Sequence, residues 1–505
     1  MKRFLLCALL AASLSAAAPK KPKLVLVIVV DQCRYDYLTR FRAEFKGGFD
    51  RLLKNGANFT AAHDDFFPAL TAVAHSVILS GAMPSATGII GNDWWDRSAA
   101  KRVTSVTDTA EKLLGGSSGN GVSPRSLLVA TVGDELKAAN GGRPKVIGIS
   151  TKDRAAILLG GKKADAAYWF DDNTGNYVTS TYYMRALPEW VQSMNSERPA
   201  AAFLGLTWQG HEIPRVAKPQ YKAVTHSPFG NRPTEELAER AIVAEKLGKH
   251  DDPDLLAVSL SATDYVGHDY GPNSPEIHEA LLETDRLLDK LFQTVDREIG
   301  LSSVVVVLTA DHGVAPLPDP KNPKERGGHF PLTAVSDAVQ AALAAQYGLG
   351  KWVVGCWDTT IFLNHVLMAE KKLDVAEVNR AAAEAVRKLP HIARTYTREQ
   401  LLDPKAAQGD NTRRLIQNGF NPDRAADVVF LVEPFWIYHE LNTTHGTTYD
   451  YDTHVPLIFM GPGIRAGSYK NAVRSNDTAP TLSELLGVPK PSASVGRVLK
   501  EMLMK

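Results

Sequence analysis

Asp31, the run Ala262-Thr263-Asp264-Tyr265-Val266-Gly267-His268, the run Ala310-Asp311-His312-Gly313 and the pair Thr453-His454 together offer three carboxylates and three imidazoles. Six oxygen and nitrogen ligands of this mix suit a pair of divalent ions that each keep open positions for a substrate. The chemistry they allow is metal-assisted hydrolysis. Asp264 and His268 are four apart, so one helical turn points both the same way. Asp311 and His312 are adjacent, and a turn at a strand end can splay them around one ion. Gly267 and Gly313 suit such turns. Any one of these fragments is common; the ordered set is far more specific.

Two further groups could act with the metal ligands. In Phe67-Pro68-Ala69-Leu70-Thr71-Ala72-Val73-Ala74-His75 a loop runs into an apolar helical segment, and Thr71 stands where the helix begins. Alone it would read as a helix cap. Beside metal ligands it reads as a nucleophile, since helix-terminal N–H groups favour an alkoxide and a bound phosphate. Asn92, in the aromatic loop Gly91–Asp96, offers an amide donor. Lys152 and Arg154 follow a strand-like run, and in extended chain residues two apart share a face. Both cations could then converge on one anion.

The elements that must position these residues are legible as apolar runs. Lys23 to Val30 is a continuous β-branched run, as in a strand buried on both faces. Lys145–Ile149, Leu255–Leu260, Val304–Thr309, Val428–Val432 and Pro456–Met460 are similar. Helical patterns at Gly48–Asn55, Ala72–Ser80, Leu127–Ala139, Pro275–Ile299 and Val375–Leu389 lie between them. The alternation predicts an α/β fold with a mostly parallel central sheet and helices on both faces. Ligands in such sheets sit beyond the carboxyl ends of the strands, where Asp31, Asp264 and Asp311 fall. Residues 155–250, rich in aromatics, Pro and Gly, read as a cap insertion over those ends. Residues 317–425 read as a second, with helices around Val375–Leu389 and Asp423.

The bulk properties set the context. The chain has 505 residues, 44% hydrophobic and 22% charged, with a formal net charge of +1. That charge gives no general attraction to nucleic acid or an anionic membrane. Met1-Lys2-Arg3, the apolar stretch Phe4 to Leu14 and the small residues Ser15 to Ala18 read as a signal peptide, residues 1–18. The apolar stretch is shorter than the roughly 20 residues a membrane span needs. The expectation is one mature α/β domain over 19–505, periplasmic or secreted and without a membrane span. Cys33 and Cys356 are its only cysteines, too few for a disulfide framework.

The order Asp31, Thr71, Asn92, Lys152 and Arg154, Asp264 and His268, Asp311 and His312, His454 resembles the alkaline phosphatase superfamily. It is most similar to exported, phosphate-irrepressible alkaline phosphatases, relatives of nucleotide pyrophosphatase/phosphodiesterases. The resemblance runs from Val29 to Asp477-Thr478-Ala479-Pro480-Thr481-Leu482. It implies two zinc ions, one held by Asp31, Thr71, Asp311 and His312, the other by Asp264, His268 and His454. It also implies Thr71 as nucleophile, a covalent phosphothreonine, and Asn92, Lys152 and Arg154 on the phosphoryl oxygens. The other histidines, His75 and His445 among them, read as structural or surface residues. A phosphate monoester carries one more negative charge than a diester, so the two cations favour a small-molecule monoester and broad specificity. The alternative on the same scaffold is a phosphodiesterase or nucleotide pyrophosphatase, with Tyr168-Trp169-Phe170 stacking a base. A sulfatase would need a modifiable Cys or Ser near the nucleophile, which the Thr71 region lacks. A non-catalytic zinc- or phosphate-binding module would tolerate loss of Thr71.

Overall fold

The computed structural model describes residues 21–504 apart from 117–118, 320, 323–325, 404 and 406–407. The predicted signal peptide, residues 1–18, lies outside the described residues. Among the described residues no helix is long and apolar enough to cross a membrane.

An 11-stranded sheet forms the centre. Five adjacent strands are parallel: Ala166–Asp171, Val146–Ser150, Asp254–Leu260, Leu24–Val30 and Val304–Thr309. The register is direct, with Leu24 opposite both Asp254 and Val304. All seven residues of Leu24–Val30 are buried, which explains the unbroken apolar run. Leu24, Leu26, Ile28 and Val30 pack on one face with helices Gly48–Asn55, Asn231–Ala244 and Pro275–Glu298. Val25, Val27 and Val29 pack on the other with Val132–Ala139 and Thr478–Leu486. Burying a side chain of this size contributes roughly 1.5–3 kcal/mol, so this alternation fixes the register of the strands that carry the site.

Three expectations change. Val428–Val432 is a buried strand, but it lies in a separate four-stranded antiparallel sheet with Val353–Trp357, Thr360–Leu363 and Ile392–Thr397. Helices Leu332–Tyr347 and Val375–Arg387 supply the core on one side, with Val428, Phe430 and Val432. Val429 and Leu431 face Phe67, Leu401 and Ile416 on the other. Burial on both faces looks the same in sequence whichever sheet provides it. The stretch 155–250 is not simply a cap: Ala166–Asp171 and Asn176–Ser180 extend the main sheet and Asn231–Ala244 packs against it. Around Asp423 there is a turn; the helix is Asn411–Gly419.

Leu457–Met460 runs antiparallel to Val304–Thr309, with Leu457 opposite Thr309. Its amino end therefore meets the carboxyl ends of the parallel strands. That brings the preceding segment, including His445 and His454, to the same sheet edge as Asp31 and Asp311.

Candidate metal centre and nucleophile

Asp31 directly follows strand Leu24–Val30, and Asp311 follows Val304–Thr309. Asp264 and His268 lie on helix Ala262–Tyr270, just past Asp254–Leu260. The fold brings their side chains into two adjoining clusters, Asp31–Asp311–His312 and Asp264–His268–His445. His445 stands where the sequence reading put His454. The two clusters touch: the rings of His312 and His445 stack with centroids 3.4 Å apart.

The histidines are arranged as metal ligands usually are. In each, Nδ1 faces a backbone carbonyl: Thr443 O at 2.8 Å for His268, Gly313 O at 3.0 Å for His312 and Ala69 O at 2.8 Å for His445. With the N–H at Nδ1, Nε2 carries the lone pair. His268 Nε2 lies 3.2 Å from Asp264 Oδ1, and His312 Nε2 3.3 Å from Asp311 Oδ2. Burial pushes the His312 pKa down to about 4 and holds that of His445 well below the usual range. Burial thus favours the neutral ring at both, the form in which a histidine binds metal.

The carboxylates supply the test of whether cations fit. Asp31, Asp264 and Asp311 are all buried. Asp31 Oδ1 and Asp311 Oδ2 have no hydrogen-bond partner among the described residues, a costly state unless a cation compensates it. Burial, then the charge of Asp31, pushes Asp311 well up. At Asp264 the cost of burial is outweighed by Lys152 and His268, which hold it well down. This oxygen and imidazole donor set fits two divalent ions, one per cluster.

His454 faces another way. Its ring lies between Tyr35, at 4.6 Å, and His63, at 4.4 Å, and its Nε2 is 3.1 Å from Thr60 O. The histidines are nine positions apart, His445 before and His454 just after the short helix Asp450–Thr453, and only tertiary packing decides which ring turns inward. One sequence signal pointed to His445: His445-Gly446 repeats the His312-Gly313 pairing. Gly446 has φ +105°, and a Cβ there would sit 2.7 Å from Tyr438 Oη, so the turn requires glycine.

Gln32 was not expected. It is buried with φ +62°, uncommon for a residue with a side chain. Its Nε2 donates to Asp264 Oδ1 at 2.7 Å and its backbone N–H to Asp311 Oδ1 at 3.0 Å. It thus ties the two clusters together. A Cβ on Gly267 would fall 1.8 Å from Gln32 Oε1, so that position must stay open.

Thr71 begins helix Thr71–Ile78, one position past the cap residue Leu70, which makes no side-chain cap bond. Its hydroxyl therefore does not cap the helix. It lies 3.5 Å from His312 Nε2 and 3.4 Å from Lys152 Nζ. Asn92 takes the capping role instead: its Oδ1 accepts from Ala72 N–H at 3.0 Å.

Lys152 and Arg154 are not in extended chain. Lys152 is the extended cap of helix Asp153–Gly160, and Arg154 lies in its first turn. Lys152 Nζ is 2.7 Å from Asp31 Oδ2 and 2.6 Å from Asp264 Oδ2, bridging the clusters. Burial lowers the Lys152 pKa, but Asp264 and Asp31 outweigh it, so the ammonium stays charged. Arg154 has no ion pair among the described residues, and its Nε is buried without a partner. Asp31 and Asp264 are within its electrostatic reach. His75, by contrast, has both ring nitrogens engaged, at Thr71 O and Ser259 Oγ, as a structural residue would.

A buried hydroxyl at a helix start, two Asp/His clusters and a guanidinium with no ion pair among the described residues, at the carboxyl edge of a parallel sheet, define the site of a metal-dependent hydrolase. The chain belongs to the type I phosphodiesterase / nucleotide pyrophosphatase family of the alkaline phosphatase superfamily, the family model matching residues 25–454. Alkaline phosphatase PhoV of Synechococcus elongatus is 36% identical to it, covering 96% of this chain and 93% of that protein. Alkaline phosphatase PafA of Elizabethkingia meningoseptica is 32% identical, covering 98% and 97%. The crystal structure of wild-type PafA superposes with a TM-score of 0.89 over 96% of this chain and 100% of the other.

Proposed function

We propose that the protein is an exported alkaline phosphatase that hydrolyses small phosphate monoesters at two zinc ions through a phosphothreonine on Thr71. The broader class is metal-dependent phosphate-ester hydrolysis, since the near full-length relatives are named alkaline phosphatases. The observation that carries the finer reading is the Thr71 hydroxyl, held off its helix cap within 3.5 Å of both His312 and Lys152. A solved variant of PafA alters a threonine, an asparagine, a lysine and an arginine, in the order of Thr71, Asn92, Lys152 and Arg154.

Asp31, Asp311 and His312, with Thr71, would hold one ion; Asp264, His268 and His445 would hold the other. Bound zinc lowers the pKa of an oxygen nucleophile and neutralises charge on a leaving oxygen. The chain's own residues do the rest. Thr71 Oγ1 attacks phosphorus from the helix start, where backbone N–H groups favour its alkoxide. The Thr71–phosphorus bond forms as the ester bond breaks, and the alcohol leaves from the side of Asp264 and His268. Asn92, fixed through its oxygen to Ala72, has its amide N–H groups for a phosphoryl oxygen. Arg154, with no carboxylate partner among the described residues, takes the charge that a monoester has and a diester lacks. Water then attacks the phosphothreonine and frees Thr71.

The test is to mix enzyme with a nitrophenyl phosphate, quench in acid and map the phosphorylated residue, with metal analysis of the purified protein alongside. Phosphate on Thr71, its loss in Thr71→Ala and two zinc ions per chain are expected. Turnover in Thr71→Ala equal to wild type refutes the nucleophile. A higher kcat/KM for the bis-ester than for the monoester would favour the phosphodiesterase reading.

A further inference from the structure

His454 left the catalytic clusters but gained other partners. Its ring, that of His63 and the carboxylate of Asp450 offer ligand atoms all within 4.8 Å of one another. His63 Nε2 lies 2.9 Å from Asp450 Oδ1. Backbone pairing holds the two histidines opposite each other: they form an antiparallel bridge, with Asp64 N–H bonded to Thr453 O and Val455 N–H to Ala62 O. His454 Nε2 faces the Thr60 carbonyl at 3.1 Å. With the N–H there, Nδ1 carries the lone pair, the carbonyl-fixed arrangement also found at His268, His312 and His445.

We propose that His63, Asp450 and His454 form a third metal site, separate from the catalytic pair, for a borderline divalent cation such as Zn²⁺ or Ni²⁺. Two imidazoles and one carboxylate are the donors such ions favour. The site differs from the catalytic clusters in access. The Asp450 side chain is 79% exposed and that of His63 39%, so an arriving ion keeps water in its remaining positions and exchanges with solvent. Capture turns the half-exposed His63 ring out of its stack on His454 so that both lone pairs converge. His454 O accepts from Tyr35 N–H, and Tyr35 stacks on the His454 ring. Occupancy therefore braces the segment that leads back to Asp31.

The test uses tag-free, zinc-loaded enzyme titrated with Ni²⁺ by calorimetry, with elemental analysis to verify that zinc is retained. One further equivalent is expected in wild type. Asp450→Asn and His63→Gln, both at exposed positions, should each weaken it at least about tenfold. Nickel X-ray absorption of the wild-type complex supplies a measurement that needs no variant, and two imidazole ligands are expected. The proposal is overturned if wild type binds no extra equivalent, if both variants bind it as wild type does, or if the spectrum shows fewer than two imidazoles.

Discussion

Replacing Arg154 with alanine should cut monoester hydrolysis much more than diester hydrolysis. Lys152 is committed to Asp31 and Asp264 at 2.7 and 2.6 Å, so much of its charge is already spent. Arg154 has no such pair among the described residues, and its Nε is buried and unpartnered. A monoester dianion brings one more negative charge to this guanidinium than a diester does. Unit charges about 4 Å apart attract by about 4 kcal/mol at an effective dielectric constant of about 20. Halving that for solvent reaching the partly exposed side chain leaves about 2 kcal/mol, or about 30-fold in rate. The assay measures kcat/KM for a nitrophenyl phosphate and its bis-ester at a pH where the monoester is a dianion. The monoester-to-diester ratio should fall about 30-fold in Arg154→Ala. Equal loss of both activities would refute the charge argument and make Arg154 a structural residue. In Lys152→Ala both activities should fall together. In metal-free protein two buried carboxylates then lose their counter-ion, a change of a kind that typically costs 3–5 kcal/mol of stability.

His445→Gln should leave one catalytic zinc per chain and lower that site's metal affinity beyond the 10–100-fold typical of outer-shell changes; loss of catalytic zinc in His454→Gln instead would reverse the assignment. Gly267→Ala should displace Gln32 and break its bond to Asp264, worth about 1.5–3 kcal/mol to a charged group; an unchanged melting temperature and unchanged zinc affinity would show that Gln32 does not link the clusters. Glu235 is 2% exposed, and burial, then the charge of Glu239, moves its pKa from 4.5 up to about 8. Between those values the folded state binds more protons than the unfolded, so this residue's contribution is complete below about pH 4.5 and is lost as pH rises past about 8. Urea titrations of Glu235→Gln should show a flatter decline of stability across that window than wild type, and parallel declines would exclude the effect.

Much of the site was legible in the sequence because strand ends are. Asp31, Asp264 and Asp311 each follow a largely apolar run, and burial on both faces dictates such runs. The edge that collects ligands follows from parallel strands. The four-residue spacing of Asp264 and His268 became one face of a helix, because a helical turn and that spacing share a period. Two kinds of information were not local. Val428–Val432 has the composition of a central strand, but sheet membership depends on which neighbours pair with it and bury it, here helices of residues 332–419 and the distant Phe67. His445 and His454 lie nine positions apart, on either side of a short helix, and nothing in their spacing says which ring faces the carboxylates. Gln32 was illegible for the same reason, since its role comes from two carboxylates more than 200 positions away. The sequence alone determined three carboxylates, two imidazoles and a hydroxyl at the carboxyl edge of a parallel sheet, because residue type and strand period are written locally. Only the tertiary structure decided which histidine completes the second cluster and that Lys152 lies against Asp31 and Asp264 while Arg154 has no ion pair among the described residues. Those outcomes depend on side-chain direction and distance between segments far apart in the chain.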